Sequence, residues 1–382
     1  MLALQPFYGG SHFQFHRDWT SRSRHQWKTL SLPDRHWKWR MRHAAIYFAK
    51  QMSQLAETGF QWDILFVTDM MNLAELNGLL PSRFRKPAIL YFHENQFGYP
   101  NQRQDQRDQH FLFTNLISAL SADRIWFNSK FNLDSLVSSL NTESKKWPDF
   151  SPVDAIQSIY QKAEIQPPCL LQPQIDWHHF ASQKQARKKN GDPIHLVWAA
   201  RWEHDKNADD FYKTLVILDR CDFDFQIDVM GQRFQKVPAV FNKIESEFSS
   251  RIGRWGYVES RNDYEQVLAS ADIFVSTAIH EFFGLSAAEA ISAGAFAMLP
   301  DRLAYPELLS YCYPTEEHRQ HLYEGTPESL AEKIIQQSNN GFSFRRLIDG
   351  AQRMYHNLGV HNRVPHLDSA LSEVVMGWHE HE

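Results

Sequence analysis

Residues 272–290 read DIFVSTAIHEFFGLSAAEA, and this stretch holds one complete strand, loop and helix. The run Asp272–Thr277 is apolar without alternation, which is typical of a strand buried on both faces of a parallel sheet. A short loop then leads into a helix that is predicted to end at Gly294, because glycine commonly terminates helices. This order predicts an α/β fold.

The same unit recurs along the chain. Further strands are predicted at 63–68, 88–92, 124–128, 195–200, 225–230 and 295–299, with helices around 70–80, 109–121, 130–140 and 207–220. Asn207 is a predicted N-cap. These elements predict two Rossmann-like, doubly wound parallel sheets, with a ligand cleft between the carboxyl ends of their strands.

The length of 382 residues exceeds one ordinary core and agrees with two domains. The polar stretch 181–193 has no apolar period and ends in glycine and proline, so it is the predicted linker. We therefore expect an N-terminal domain over 1–180 and a second domain over 194–360. Residues 361–382 contain a predicted C-terminal helix that can pack back on the N-terminal domain.

Composition excludes several classes of protein. Twelve Trp, 27 Phe and 13 Tyr argue against disorder, and no window approaches 18 uncharged apolar residues. Pro6, Gly9 and Gly10 interrupt the apolar N-terminal segment too early for a signal peptide. Three dispersed cysteines predict neither disulfides nor a thiolate metal site. We expect a cytoplasmic protein without membrane insertion.

Charge is divided unevenly between the halves. Residues 1–190 carry 23 Lys and Arg against 16 Asp and Glu, a net charge of +7, whereas residues 191–382 carry 17 against 29, a net charge of −12. Such asymmetry favours contact between the first half and a polyanion. The alternative is that the charges of two unrelated surfaces drifted apart without a functional reason.

The loop and helix after Thr277 carry two carboxylates eight residues apart. The N–H groups of Phe283, Gly284 and Leu285 at the helix start are predicted to bind a diphosphate, and Gly284 is small enough for a ligand to approach. Glu281 is expected to accept hydrogen bonds from sugar hydroxyls and Glu289 from a ribose. Taken alone, this Glu spacing is a weak signal.

A second cationic element follows the first strand of the second half. Arg201 and Lys206 lie in a strand-to-helix loop, where an arginine fork and a lysine point charge can hold diphosphate oxygens. The alternative reading is a solvated pair of loop cations.

The first half offers matching elements. Gly9, Gly10 and Ser11 follow a short strand and are predicted to contact the donor, although an ordinary strand-to-helix turn is the alternative. His93 and Asn95 lie at a strand's end, where ligand groups belong in this architecture. A histidine there can bond a sugar hydroxyl or be structural.

Residues 35–43 interleave cations with aromatic side chains, a composition suited to phosphate contacts and base stacking. The predicted acceptor contacts are Arg35, Lys38, Arg40 and Arg42. Alternatively, the segment is amphipathic and buries Trp37 and Met41.

The order Arg201…Lys206, Gly256-Tyr257, Ala271-Asp272 and Glu281-x7-Glu289 resembles glycosyltransferase family 4. This resemblance implies the GT-B fold, with Arg201 and Lys206 on the donor diphosphate, Glu281 on the transferred sugar and Glu289 on the ribose. Tyr257 and Val258 would lie near the base. By the same resemblance His93 joins Arg201, Lys206 and Glu281 as a catalytic residue.

The full set of signatures resembles the tRNA-queuosine α-mannosyltransferase family. It comprises FYGGSH from Phe7, HWKWR from His36, FHENQ from Phe92, FNS from Phe127, RWEHDK from Arg201, WGY from Trp255 and HEFFG from His280. The resemblance implies retaining transfer of mannose from GDP-mannose to queuosine in a tRNA anticodon, with no cofactor and no metal. A monomer or weak homodimer is expected.

Other functions stay open at this point. The same fold could serve another nucleotide-sugar with a lipid, glycan or small-molecule acceptor, or a sugar epimerase. A non-catalytic tRNA-binding protein agrees poorly with an intact donor motif. The resemblance covers roughly residues 1–175 and 194–310. Residues 99–110 depart from the family pattern and are rich in Gln, Asp and Arg, and residues 310–382 lie outside the resemblance, so acceptor contacts in both ranges are undetermined.

Overall fold

The computed structural model describes residues 1–95, 109–233 and 237–379. These residues form two units, one of Met1–Cys169 with the segment from Val360 onward, and one of Leu170–Gly359. The boundaries thus differ from the expected linker at 181–193. That stretch belongs largely to helix α7 (Trp177–Asn190), which is capped by the Asp176 side chain and ends at Gly191 in a left-handed conformation.

The first unit is built on a parallel sheet with the strand order β2-β1-β3-β4-β5-β6. Its strands are β1 (Leu2–Tyr8), β2 (Lys28–Pro33), β3 (Leu65–Thr68), β4 (Ala88–Phe92), β5 (Arg124–Phe127) and β6 (Ala163–Ile165). The central strands β3 and β4 are buried along their whole length, because helices cover both faces of the sheet.

The helices of the first unit include the C-terminal one. They are α1 (Gly10–Thr20), α2 (Trp37–Glu57), α3 (Leu73–Leu79), α4 (Gln109–Ser121), α5 (Lys130–Ser144), α6 (Val153–Lys162) and α16 (Val360–His379). Asp368 of α16 is buried and accepts hydrogen bonds from Trp19 Nε1 at 2.9 Å and the Arg24 backbone N–H at 2.8 Å. The end of the chain is therefore part of the first unit's core.

The second unit has a parallel sheet in the order β9-β8-β7-β10-β11-β12. Its strands are β7 (Ile194–Ala199), β8 (Phe225–Met230), β9 (Ile252–Gly256), β10 (Ile273–Val275), β11 (Phe296–Pro300) and β12 (Leu322–Tyr323). This is the Rossmann order, in which the winding reverses between the first and fourth strands, here β7 and β10.

Helices cover both faces of the second sheet. They are α7, α8 (Ala208–Arg220), α9 (Val240–Glu247), α10 (Arg261–Ser270), α11 (Leu285–Ser292), α12 (Tyr305–Ser310), α13 (His318–His321), α14 (Pro327–Asn340) and α15 (Phe344–Leu358). Along β7, Leu196 and Trp198 join one buried cluster while Val197 and Ala199 join the other. Because successive side chains point into two different buried clusters, consecutive positions along the strand are all apolar.

The predicted strands and helices agree with the observed ones near the sheet centres. Short edge strands such as β6 and β12 escaped prediction because two or three residues carry no readable pattern. Asn207 is the N-cap of α8 but has a left-handed backbone, and its side chain donates to Asp210 rather than capping the helix. Among the described residues, no helix is long and apolar enough to cross a membrane.

Candidate active site

The loops after β7 and β10 meet at the point where the second sheet reverses its winding. The Ile279 backbone N–H donates to the Asp205 carbonyl at 2.9 Å, and Thr277 Oγ1 donates to the Lys206 carbonyl at 2.9 Å. These bonds join the Arg201–Lys206 loop to the loop of Glu281. Two distant motifs of the sequence are thereby brought together at the carboxyl edge of the sheet, where ligands bind in this architecture.

Lys206 lies at the centre of this edge, with only 11% of its side chain exposed. Its Nζ donates to the His280 carbonyl at 2.9 Å and to Glu281 Oε2 at 3.2 Å, and forms an ion pair with Asp205 Oδ2 at 3.1 Å. Two of the three ammonium donors thus make hydrogen bonds to protein, whereas the contact with Asp205 is an ion pair without a hydrogen bond to its carboxylate oxygens. The ammonium is therefore held in a fixed position.

The charges of this cluster support one another. Burial alone would lower the pKa of Lys206, but the carboxylates of Glu281 and Asp205 outweigh it and raise that pKa. Burial would likewise raise the pKa of Glu281 and of Asp205, yet the Lys206 charge holds both below their ordinary values. Burial lowers the pKa of neighbouring His280 to about 4. At neutral pH the cluster holds three ions and a neutral imidazole.

Arg201 differs from Lys206 in being open to solvent. Its side chain is 46% exposed, and its Nη1 pairs with Glu203 Oε2 at 3.1 Å. The two predicted diphosphate cations are therefore one half-exposed guanidinium and one buried ammonium, and breaking an exposed ion pair to reach a ligand costs little.

Gly284 begins helix α11 as its N-cap, with a left-handed φ of 92°. A Cβ there would lie 3.0 Å from the ring of Tyr305 and 3.3 Å from Leu308. Glycine is thus required here by backbone conformation and by the packing of α12, and the approach of a ligand to it stays a prediction. The N–H groups of Phe283, Gly284 and Leu285 remain at the helix start, where anions are favoured.

Glu289 is held on both carboxylate oxygens. Arg261 Nη1 donates to Oε1 at 2.6 Å, and the Tyr264 hydroxyl donates to Oε2 at 3.1 Å. Arg261 also donates to Glu265 Oε1 at 2.6 Å, so α10 presents a rigid pair of donors to α11. A carboxylate accepts about four hydrogen bonds, which leaves capacity for ribose hydroxyls.

The predicted base segment follows β9. Tyr257 is 66% exposed at the carboxyl end of that strand, while Val258 packs against the core on the α11 side of the sheet. Both residues therefore lie at the same edge of the second sheet as Glu281, and their contact with a base stays a prediction.

His93 follows β4 in the first unit, at the carboxyl edge of that sheet. Its ring stacks on His12 with centroids 3.9 Å apart and lies edge-on to Phe15 at 5.5 Å. Burial, and then the neighbouring His12, hold the pKa of His93 well below its ordinary value. Among the described residues, the buried Nε2 of His93 has no hydrogen-bond partner. A neutral imidazole here can exchange a hydrogen bond with a hydroxyl group.

Gly9, Gly10 and Ser11 form the turn from β1 into α1, as predicted. Gly10 has a left-handed φ of 52°, and a Cβ on Gly9 would overlap the Asp34 side chain. Gly10 and Ser11 are exposed at the helix start. The turn needs glycine for its own geometry, and it lies on the same sheet edge as His93.

Two predicted acceptor contacts are buried, which corrects their assignment. Asn95 is fully buried, and its Nδ2 donates to Asn132 Oδ1 at 3.1 Å. Arg40 is 8% exposed and donates to the Pro33 carbonyl at 3.3 Å. Both side chains shape the first unit from within, whereas Arg35, Lys38 and Arg42 are exposed.

Acceptor contacts were left undetermined in 99–110 and 310–382. Residues 99–108 lie outside the described residues, and residues 311–379 contain β12, α13 to α16 and their connections. Within the described ranges, no group of three or more His, Cys, Asp or Glu is placed to hold a metal ion.

Sequence reasoning missed Asp205, His12, Arg261 and Tyr264. Asp205 stands in the quoted loop, but its complete burial beside Lys206 is a tertiary property. Arg261 was accessible to prediction, because Ser260 caps α10 and Arg261 is spaced four residues from Glu265 on one helix face.

Solved glycosyltransferases have the same fold. The sucrose-phosphate synthase of Thermosynechococcus elongatus is 12% identical, with a TM-score of 0.67 over 98% of this chain and 99% of its own. Anabaena HepE, solved in complex with UDP-glucose, is 14% identical, with a TM-score of 0.67 over 97% and 99% of the two chains. The chain therefore has the α/β GT-B fold.

Sequence comparison identifies both units. Residues 1–170 match the family model described as tRNA-queuosine alpha-mannosyltransferase N-terminal, and residues 193–340 match that of glycosyl transferases group 1. A tRNA-queuosine alpha-mannosyltransferase of Drosophila melanogaster is 34% identical over 341 residues, which are 87% of this chain and 85% of that protein. The protein is thus a glycosyltransferase, and it belongs to the tRNA-queuosine α-mannosyltransferase family.

Proposed function

We propose that this enzyme transfers mannose from GDP-mannose to the queuosine nucleoside of a tRNA anticodon, with retention at the anomeric carbon. The proposal rests on the paired Lys206 and Glu281 at the edge of the second sheet, in a chain whose first 170 residues match the queuosine family model. The name of the Drosophila relative supports the same acceptor and sugar.

The second unit supplies the donor groups in this proposal. Arg201, Lys206 and the start of α11 stabilise the charge that develops on the GDP leaving group. Glu281 accepts from hydroxyls of the mannose, and Glu289, already oriented by Arg261 and Tyr264, accepts from the ribose. Because this chain's own cations and N–H groups balance the diphosphate, no metal or cofactor is included in the proposal.

Donor binding rearranges the Lys206 cluster in this proposal. Lys206 Nζ donates to Glu281 and to the His280 carbonyl, and a phosphate oxygen can replace Glu281 as one of these acceptors. Displacing Glu281 frees its carboxylate for the sugar hydroxyls at the same moment. One exchange therefore prepares both the phosphate contact and the sugar contact.

The first unit presents the acceptor. Neutral His93 bonds a hydroxyl group without adding a charge, and the departing phosphate assists removal of the acceptor hydroxyl proton. Residues 1–169 carry 19 Lys and Arg against 15 Asp and Glu, a net charge of +4, which favours a tRNA polyanion.

The test incubates the purified enzyme with GDP-mannose and queuosine-containing tRNA and weighs the digested nucleosides. A mass gain of one hexose on queuosine supports the proposal, and added chelator should leave the yield unchanged. Anomer-specific glycosidase digestion of the product tests retention. Transfer only from another nucleotide-sugar, or to a lipid or glycan, would replace this proposal with a different family 4 activity.

A further inference from the structure

Helix α2 presents two opposite faces. One face, which includes Met41, Ala44, Phe48 and Met52, is buried in the first unit. Trp37 and Arg40, which the sequence grouped with the cations around them, also turn toward protein. Trp37 packs on Phe111 with centroids 5.1 Å apart, and Arg40 bonds the Pro33 carbonyl.

The other face of α2 is an exposed stripe formed by Trp39, Arg42, Ile46 and Lys50. Trp39 is 67% exposed and Ile46 is 62% exposed, and both cations are exposed. Steps of three and four residues place these side chains on one side of a helix. At a rise of about 1.5 Å per residue, the stripe is about 17 Å long.

The stripe has a uniform charge sign. No aspartate or glutamate occurs between Arg35 and Ala56, so the 21-residue helix reaches its last position, Glu57, before it carries an acid. Arg35 and Lys38 are also exposed, just before the stripe begins. An exposed indole in a helical segment that carries several cations and no acid from residue 35 to 56 is complementary to a base flanked by phosphates.

We propose that the stripe binds unpaired RNA nucleotides, with Trp39 stacking on a base while Arg42 and Lys50 contact phosphates. The inference rests on the proposed function, because an anticodon loop supplies unpaired bases, and it extends that function by naming the surface. Double-stranded RNA would offer phosphates but no open base face to the indole.

The observations favour RNA over an anionic membrane surface. A helix that enters a bilayer interface needs a broad apolar face, whereas cations at 42 and 50 interrupt this stripe and only two of its four residues are apolar. Arg42 therefore separates Trp39 from the exposed pair Ile46 and Tyr47, and such small apolar groups suit stacking on single bases.

The experiment measures binding of an anticodon stem-loop RNA, and of a fully paired hairpin, across a salt series without donor. Trp39→Ala should weaken stem-loop binding by about tenfold and leave hairpin binding nearly unchanged, because stacking requires an open base. Lys50→Ala should weaken both and reduce the salt slope by about 0.7 to 0.9.

Matched controls come from the same unit. Phe150 is 72% exposed and Arg85 is exposed outside the stripe, so Phe150→Ala and Arg85→Ala should bind both RNAs as the wild type does. Circular dichroism checks that each variant is folded.

The outcomes separate the two proposals. If Trp39→Ala binds the stem-loop as tightly as wild type, or loses hairpin binding equally, the stripe is not a stacking surface even when hexose transfer succeeds. Binding to anionic vesicles that needs Trp39, without RNA binding, would also overturn it. If the stem-loop binds through Trp39 but no hexose is added, the transfer proposal fails and the RNA surface stands.

Discussion

The carboxyl edge of the first sheet holds the rings of His12 and His93 among aromatic side chains, whereas the same edge of the second sheet holds the ions of Asp205, Lys206 and Glu281. Both edges follow parallel strands and lead into helices that start at a glycine turn. One topology therefore supports an uncharged edge and a charged edge. The uncharged edge suits hydroxyl groups and the charged edge suits a diphosphate.

The two edges also differ in what sets the protonation states of their titratable side chains. Burial without an ion partner keeps His93 neutral, and the pKa of His16 is lowered to about 4 by burial. In the second unit, opposite charges outweigh burial and keep Lys206 and Glu281 ionised. Substitutions at the two edges should therefore have different consequences.

The largest effect is expected for Lys206→Ala. Loss of a charge that stabilises the leaving group should lower kcat/KM by about 100- to 1000-fold. It also leaves Asp205 buried without its cation, which should lower the free energy of unfolding by about 3–5 kcal/mol. Steady-state kinetics and urea denaturation measure the two effects.

The double variant Asp205→Asn with Lys206→Met separates stability from catalysis. This variant removes both charges of the Asp205–Lys206 pair. It should therefore regain much of the free energy of unfolding that Lys206→Ala loses, while kcat/KM stays low. Near-normal turnover in Lys206→Ala would show that Lys206 does not serve the donor.

Arg261→Ala should have a smaller effect, confined to donor affinity. Glu289 would lose its charge-assisted donor, and we expect KM for the nucleotide-sugar to rise about 10- to 100-fold with a lesser change in kcat. Arg261→Lys should restore part of the affinity. The control Arg220→Ala, an exposed cation at the end of α8, should match wild type. An unchanged KM in Arg261→Ala would exclude the positioning role.

Lowering the pH should reduce the stability of the first unit, because His16 is buried in its neutral form. The folded pKa is about 4 and the ordinary value is 6.5, so the unfolded chain binds more protons between these values. Stability is therefore complete above pH 6.5 and falls as the pH drops toward 4, by at most about 1.4 kcal/mol per pH unit for this group. In denaturation at several pH values, His16→Gln should show a shallower fall. An identical fall in both proteins contradicts this account.

The smallest effects are expected at the two helix-starting glycines. Gly10→Ala and Gly284→Ala both place a Cβ in a left-handed conformation, which costs about 1–2 kcal/mol. Within the described residues a Cβ at Gly10 meets nothing within 4 Å, whereas one at Gly284 presses on Tyr305, so Gly284→Ala should be the less stable variant. Thermal unfolding compares them, and the reverse order would contradict the packing argument.

Sequence patterns were sufficient where they reflect local structure. The bounds of β4 and β8 were predicted because their mainly apolar runs have readable ends. Arg201, Lys206 and Glu281 lie on one sheet edge because each is in a loop that follows a strand, and Glu289 lies in the helix that follows the second loop. Arg40, Asn95 and the linker were wrong for a different reason. Burial, and the helix at 177–190, depend on contacts with residues far away in the chain.

The most direct test of the charged edge is calorimetric titration of GDP into wild type, Arg201→Ala and His93→Ala. Arg201 is half exposed, so its removal should leave the fold intact while weakening GDP binding by at least tenfold. His93→Ala should bind GDP as wild type does, because its edge serves hydroxyl groups. GDP binding that needs His93 and ignores Arg201 would contradict the assignment of the diphosphate to the second unit.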